Sequence, residues 1–567
     1  MRPFLVTELQ AGKLPRWGLL LLCLLYIVPG FVGRDPWRYG DAAGFGVALT
    51  MARGDASDWL LPNIAGEPVY DEGPLPFWVG AAVARLLPFV SEHTAARSAT
   101  AAGIALLFVA FWYAVYSLSK RPGLMPSDPF GASATRVDFG RAIADSALLV
   151  LMATLGVIAR VHETTGQAAQ LTIGAFFLFG AATALYRPTR GGLIAGVAIG
   201  ATVMTRGLLP AFALAACAAA LPLVSRDYRL VAARWLATTL LTGTLIGLAW
   251  PLALLGAGQP GTEHLAGWLA WNRAQLTGPT LDSAQDIART LPWYFWPAWP
   301  MAFWALYRWR GRIGEPAVAL PLTSLATGAV VALVLTEAPD DLLLRLALPL
   351  AMLAAAGLPT LARSVVSLLD WFAVMTYSVI SFVVWAYWIA FVTGFPPRMA
   401  ASARRIAPGF EPDWIVVDIA LGVLATVGWA LLVRWRVSRQ PPMLWRAVVL
   451  SSSGLVVAWF LLMTLWLPVF NVRNTYRDVS RQAASALGDR YDCVETERLG
   501  RAQRASLQYF GNFRFGAADR SCGWRIVQDE GPLARTQASV EPGWRLVWEG
   551  SRPHDDDERL RLYQRLR

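Results

Sequence analysis

Carboxylates crowd one short stretch of this chain. Asp35, Asp41, Asp55, Asp58, Glu67, Asp71 and Glu72 all fall within 34–74. A positioned carboxylate can orient an attacking hydroxyl or take its proton. Asp41 opens a run, 41–53, that reads as an amphipathic helix lying at a membrane interface. A first-turn carboxylate also suits a helix dipole, so Asp41 is either a capping charge or a reacting group. Asp71 and Glu72 precede Gly73-Pro74 and an apolar run, where solvated charge at a helix entrance is the plainer reading. A second stretch, 256–293, holds Glu263-His264, Trp268, Trp271, Asn272 and Arg273, and closes on Leu291-Pro292-Trp293-Tyr294-Phe295-Trp296. Of the four histidines, His93 and His162 lie in short polar turns and His554 among carboxylates; His264 is set apart by its company. Arg206 sits at a break between two apolar runs, where an unpaired arginine is expensive to bury. Its two-pronged donor suits a phosphate; the alternative is a side chain snorkelling to lipid headgroups. Arg273 and Arg345 are secondary phosphate candidates. The aromatic residues Trp37, Tyr39, Trp59, Trp268, Trp271, Trp293, Tyr294 and Trp296 either stack on a sugar or form an interfacial belt.

Something must carry these residues, and composition says what. Of 567 residues, 55% are hydrophobic and 16% charged, against about 25% charged in a soluble domain. Apolar runs near the ~20 residues needed to span a bilayer lie at 17–33, 75–90, 97–119, 142–160, 168–186, 191–205, 208–224, 235–255, 293–308, 316–336, 342–360, 368–393, 414–435 and 446–470. The chain therefore reads as an all-α polytopic membrane protein. The run after Lys13 and Arg16 has no small-residue cleavage site, so it reads as an uncleaved first span with its N-terminus inside. The net charge is +11. In a membrane protein such charge marks cytoplasmic span ends rather than a nucleic-acid partner.

Charge placement sets sidedness. Arginines crowd the turns at 226–234, 308–312 and 434–446, which should be cytoplasmic; Glu337-Ala338-Pro339-Asp340-Asp341 should be outside. Two routes then give about 13 transmembrane helices. In one, 75–90 is only a partial helix. In the other it crosses, and 191–224 is a single broken span. Both put the loops 34–74 and 256–293 on the same outer face.

The end of the chain changes character. Residues 474–488 read as an amphipathic helix. Strand-like runs follow near 493–497, 505–510, 523–528, 545–549 and 560–566. This predicts a transmembrane domain, 1–470, and a small C-terminal α/β domain, 471–567, outside the membrane. Cys493 and Cys522 lie in that tail, where a disulfide is plausible; Cys23 and Cys217 sit in apolar runs.

Several patterns together resemble the C-type membrane glycosyltransferase superfamily, most closely the lipid A aminoarabinose transferases and their protein mannosyltransferase-like relatives. They are Asp41-Ala42-Ala43-Gly44-Phe45, then Gly54-Asp55 with Asp58-Trp59, then Tyr70-Asp71-Glu72-Gly73-Pro74-Leu75-Pro76. Further on come Met204-Thr205-Arg206-Gly207, Glu263-His264 and Pro292-Trp293-Tyr294. The resemblance implies a periplasmic C-terminal domain in a bacterial inner-membrane protein. It implies an inverting transfer of a sugar from a polyprenyl-phosphate donor to lipid A or another lipid or glycan acceptor. Asp41 and Glu72 would be the catalytic carboxylates. Arg206, Arg273, Arg345, Trp268 and Tyr70 would bind substrate, and Glu72 with His264 would hold a zinc ion. The family's lysine after the glutamate is Gly73 here. A polytopic transporter or lipid flippase is the rival reading. A relative that has lost catalysis is a third.

Overall fold

The computed structural model describes residues 6–124, 134–276, 278, 280–411, 415–438, 443–516, 521–536, 541–553 and 555–566; His554 lies outside them. Among the described residues, seven helices are long and apolar enough to cross a membrane: Glu92–Ser119, Gly166–Ala184, Arg226–Gly256, Pro316–Val334, Arg363–Thr393, Val416–Ser438 and Arg446–Leu465. Shorter apolar helices stand beside them, among them Arg16–Gly30, Leu75–Leu86 and Leu208–Val224. This is a multi-pass membrane protein. Its core is largely alanine and leucine, with the Arg136–Ala153 helix buried along most of its length.

Leu75–Leu86 has 12 residues, about 18 Å of helix against a hydrocarbon core of about 30 Å. It is a partial helix. The run 191–224 divides into Pro188–Arg206 and Leu208–Val224 at Gly207, whose φ of +109° is open to few residues with a side chain. Asn272 fills the break: its Oδ1 accepts from the Leu208 N–H at 2.9 Å.

Two expectations for the outer loops need correcting. The Gly40–Arg53 helix is not interfacial. Nearly every residue from Asp41 to Met51 is buried, because the helix is packed between Leu75–Leu86 and a helix of the tail. The stretch 256–293 is largely helical, as Gly258–Ala274 and Leu281–Tyr294. Its buried residues Gly261, His264, Trp268 and Asn272 recur every three or four positions, the period of one helix face.

The tail begins with the amphipathic Arg477–Leu487 helix, which buries Val479, Ser480, Ala483 and Leu487. The expected 470/471 boundary falls inside the preceding Leu467–Asn474 helix. Besides a two-residue hairpin in the first loop, β1 (Asn63–Ile64) with β2 (Glu67–Pro68), the sheet is made of β3 (Val494–Glu497), β4 (Trp524–Glu530), β5 (Trp544–Gly550) and β6 (Glu558–Arg565), in the order β3-β4-β6-β5. The strand expected at 505–510 is instead part of the Arg501–Gly511 helix. The reason is topological: β3 and β4 run parallel, and a parallel pair needs a crossover rather than a tight turn. Cys493 and Cys522 precede these two strands and are joined in a disulfide, with Cα atoms 5.3 Å apart.

Candidate active site

The tail docks on the first loop, and the seam between them is a cleft of about 410 Å³. At Gly46 a Cβ would come 2.5 Å from the Ala505 Cβ, so the Gly40–Arg53 and Arg501–Gly511 helices touch backbone to side chain. Arg504 donates to the carbonyls of Ile64 and Ala65, at 2.8 and 2.9 Å. Arg501 pairs with Asp71, and Arg477 with Asp35. The cleft is walled by Gly40, Ala43 and Gly44 on one side and by Arg501, Gln503, Gln528 and Glu530 of the tail on the other.

Arg206 is the hub of its charged end. Its guanidinium meets Glu72 Oε1 at 3.0 Å, the Asp71 carbonyl at 3.2 Å and Glu337 Oε1 at 3.4 Å. It also lies 5.5 Å above the Trp271 ring. It is 8% exposed and lines the cleft with Asp71 and Glu72. Glu337 passes its other oxygen to Arg345 at 2.6 Å, and Arg345 also donates to Gln170 at 2.7 Å. Three carboxylates (Asp71, Glu72, Glu337) thus face three arginines (Arg206, Arg345, Arg501). Paired charges of this kind are what make burial tolerable.

The carboxylates differ in how tightly they are held. Burial pushes Glu72 up to about 8; Arg206 pulls against this, while Asp71 and Glu337 reinforce it. Glu72 Oε2 is buried without a hydrogen-bond partner. Burial also opposes ionisation of Glu337, but Arg345 and Arg206 hold it below the usual carboxylate range.

Asp41 stands elsewhere. It is 1% exposed and does not line the cleft. One oxygen accepts from Arg34 at 3.1 Å and from the Trp37 N–H at 3.2 Å; the other accepts from the Thr164 N–H at 2.8 Å. Burial works against its charge, yet Arg34, Arg97 and these bonds keep it ionised. It ties the first loop to the 160–165 turn from behind the cleft wall.

The other candidates divide. Tyr70 packs on the His264 ring, with centroids 5.2 Å apart, and over Gly267. Trp268 is core, edge-on to Trp250 at 5.5 Å. Arg273 is exposed at the end of its helix. Gly73 leaves no room for the family lysine: a Cβ there would lie 2.0 Å from the Met204 carbonyl oxygen, and its N–H donates to the Thr205 carbonyl at 2.8 Å. His264 is caged by Tyr70 and Trp250, and desolvation lowers it to about 4. Its Nε2 and Glu72 Oε2 both lack partners. Even so, among the described residues no group of three or more His, Cys, Asp or Glu side chains gathers for a metal. A catalytic zinc ordinarily takes three protein ligands, so the donor set does not fit and no step is routed through one. Sequence reasoning passed over Glu337, Gln170 and Arg501. In the sequence Glu337 marks only an outer loop, and no pattern in the tail points toward the first loop.

Three-dimensional comparison finds this architecture in solved structures. The chain superposes on ArnT from Cupriavidus metallidurans bound to undecaprenyl phosphate with a TM-score of 0.66 and 14% identity, over 96% of this chain and 98% of that one. The apo state of the same protein gives 0.63 and 15%, over 96% and 97%. AglB, an oligosaccharyltransferase from Archaeoglobus fulgidus, gives 0.44 and 10%, over 88% and 63%, a likeness too weak to define a fold. No protein-family model matches the sequence, and no curated protein sequence matches it. At these identities the likeness establishes the fold.

Proposed function

We propose that this chain is an inverting glycosyltransferase that takes a sugar from a polyprenyl-phosphate donor. It passes the sugar to lipid A or another cell-envelope acceptor at the outer face of a bacterial inner membrane. In this reading residues 1–470 are the membrane domain, with about 13 crossings, and 471–567 form a periplasmic domain. The Cys493–Cys522 disulfide supports that side, because disulfides persist in oxidising compartments. So does the placement of the first loop and the tail across one shared cleft.

The observation that carries the reading is the Arg206–Glu72 pair on the cleft wall. Transfer breaks the bond between the anomeric carbon and the phosphate oxygen, and joins that carbon to an acceptor oxygen. The phosphate leaves with the electron pair and needs positive charge beside it. Arg206 supplies it, with Arg345 reinforcing from behind Glu337. When the acceptor is a hydroxyl, its proton goes to Glu72, whose displaced pKa suits a general base. A donor phosphate beside Arg206 takes away Glu72's cationic partner and strengthens it as a base at the moment it is needed. We assign Asp41 the role of holding the first loop rather than meeting substrate, and Tyr70 that of fixing the segment that carries Glu72. Binding of undecaprenyl phosphate to the purified protein tests the cationic site. Arg206→Ala should weaken it by about tenfold to a hundredfold, the value of one or two charge-assisted bonds. Unchanged affinity would remove Arg206 from the phosphate site.

A further inference from the structure

At the opposite end of the membrane domain from the cleft lies a groove of about 510 Å³. The Glu92–Ser119 helix separates the two. It starts beside the first loop, where Arg53 grips Glu92 at 2.6 and 2.7 Å. Its 28 residues then run for about 42 Å. The groove lies along the far part of this helix, from Phe108 to Tyr116, between it, the start of Arg16–Ile27 and the Arg136–Ala153 helix. Lys13, Arg16, Lys120, Arg136 and Arg141 stand at the ends of these three helices, the mark of a cytoplasmic span end.

The charged mouth of this groove is built around Asp145, which is 1% exposed. Its Oδ1 accepts from Trp112 Nε1 at 2.7 Å and from Arg16 at 3.2 Å. Arg16 is thereby held 5.1 Å over the Trp112 ring, which in turn stacks on Tyr116 at 5.2 Å. One Arg16 nitrogen is spent on Asp145, but its side chain stays 53% exposed, so other donors remain open to a ligand. Arg141 lies one turn before Asp145, on the same helix face. It lines the groove half-buried and has no hydrogen-bonding or ion-pair partner among the described residues. Asp138, nearby, is occupied by Lys13 at 3.5 Å. Two arginines and no carboxylate line the groove; the rest of the wall is chiefly apolar, with Leu20, Val109 and Leu148 in it.

We propose that this groove holds one anionic phospholipid of the inner leaflet, with its phosphate between Arg16 and Arg141 and an acyl chain along Leu20, Val109 and Leu148. Apolar wall and basic mouth match the two halves of an amphiphile. The sign of the mouth selects the head. Asp145 answers one guanidinium and leaves the other uncompensated, and a phosphate offers the paired acceptors that a guanidinium fork takes. A zwitterionic head makes the same phosphate contact but brings a cation toward the arginines, and Asp145 is too deeply buried to receive it. Basic pockets between membrane helices on the cytoplasmic side take anionic heads for this reason. The inference does not depend on the transfer reading, since the groove shares no residue with the cleft.

The test is native mass spectrometry of the delipidated full-length protein, titrated separately with phosphatidylglycerol and phosphatidylcholine of matched chains. The first lipid to bind should be phosphatidylglycerol, about tenfold more tightly, the value of one charge-assisted bond. Arg141→Gln should remove that preference without lowering the unfolding temperature, because Arg141 has no partner in the protein to lose. Arg312→Gln, at an exposed arginine outside the groove, should leave the preference intact. Val109→Trp, at an exposed position on the apolar wall, should weaken both lipids. Equal binding of the two lipids, a preference that survives Arg141→Gln, one that Arg312→Gln removes equally, or binding untouched by Val109→Trp would each overturn the proposal.

Discussion

Two carboxylates separate at the level of single residues. Asp41 has both oxygens engaged and faces Arg34, whose side chain is 1% exposed. Asp41→Asn leaves that arginine buried without its counter-charge, a loss of about 3–5 kcal/mol. The expected outcome in thermal unfolding is a strongly destabilised protein. A stable Asp41→Asn protein with normal unfolding but no turnover would instead restore Asp41 as a reacting group. Tyr39 offers a different kind of test. It stands at the cleft mouth, 69% exposed, with φ of +69° and ψ of −133°. Backbone strain of that kind costs about 1–3 kcal/mol and gathers at functional sites. Tyr39→Gly should therefore unfold at higher temperature than Tyr39→Ala, while both raise KM several-fold if the ring is a platform for the sugar. Equal stability of the two would deny the strain.

The elements explain why Gly73 cannot be a lysine here. The first loop passes so close to the end of Pro188–Arg206 that the two share a backbone hydrogen bond, Gly73 N–H to Thr205 C=O. Gly73→Lys should fail to fold or unfold many degrees lower, since overpacking alone costs about 1–3 kcal/mol. Unfolding temperatures of Gly73→Ala and Gly73→Lys check this; normal stability in both would mean the loop can lift away. A cation on the cleft wall comes from the helix end instead, as Arg206. Interrupted helices line transport paths, and the chain breaks at Gly207. Asn272 caps that break, which gives the interruption a structural role. Seven of the apolar runs lie on helices long and apolar enough to cross a membrane, and Gly207 marks a helix break, because hydropathy and glycine report these directly. The stretch 256–293 was not legible in this way: its polar residues masked a helix whose buried face repeats at 261, 264, 268 and 272. The 505–510 run alternated like a strand, and only the parallel pairing of β3 with β4 explains its helix.

The whole molecule adds what no local pattern could. Arg206 and Glu72 were legible as chemistry from their types and neighbours, and they do meet. Glu337, Arg345 and Gln170 join them through distant parts of the chain. The tail supplies the opposite wall through Arg501 and Gln503, contacts fixed by docking more than 400 residues from the first loop. Such contacts leave no trace in spacing. The cleft's net balance of charge follows from this assembly, and so does Glu72's displaced titration. The central claim is that Glu72 works in this cleft as the base of a sugar transfer. The most direct test is transfer from a polyprenyl-phosphate sugar to a lipid-linked hydroxyl acceptor, followed against pH in the native protein and in Glu72→Gln. Because Glu72 is pushed up to about 8 and works ionised, kcat/KM should climb about tenfold per pH unit below that value and level above it. Glu72→Gln should lose about 10²–10⁴ of the rate, together with that limb. A flat profile from pH 6 to pH 9 with Glu72→Gln fully active would contradict the account.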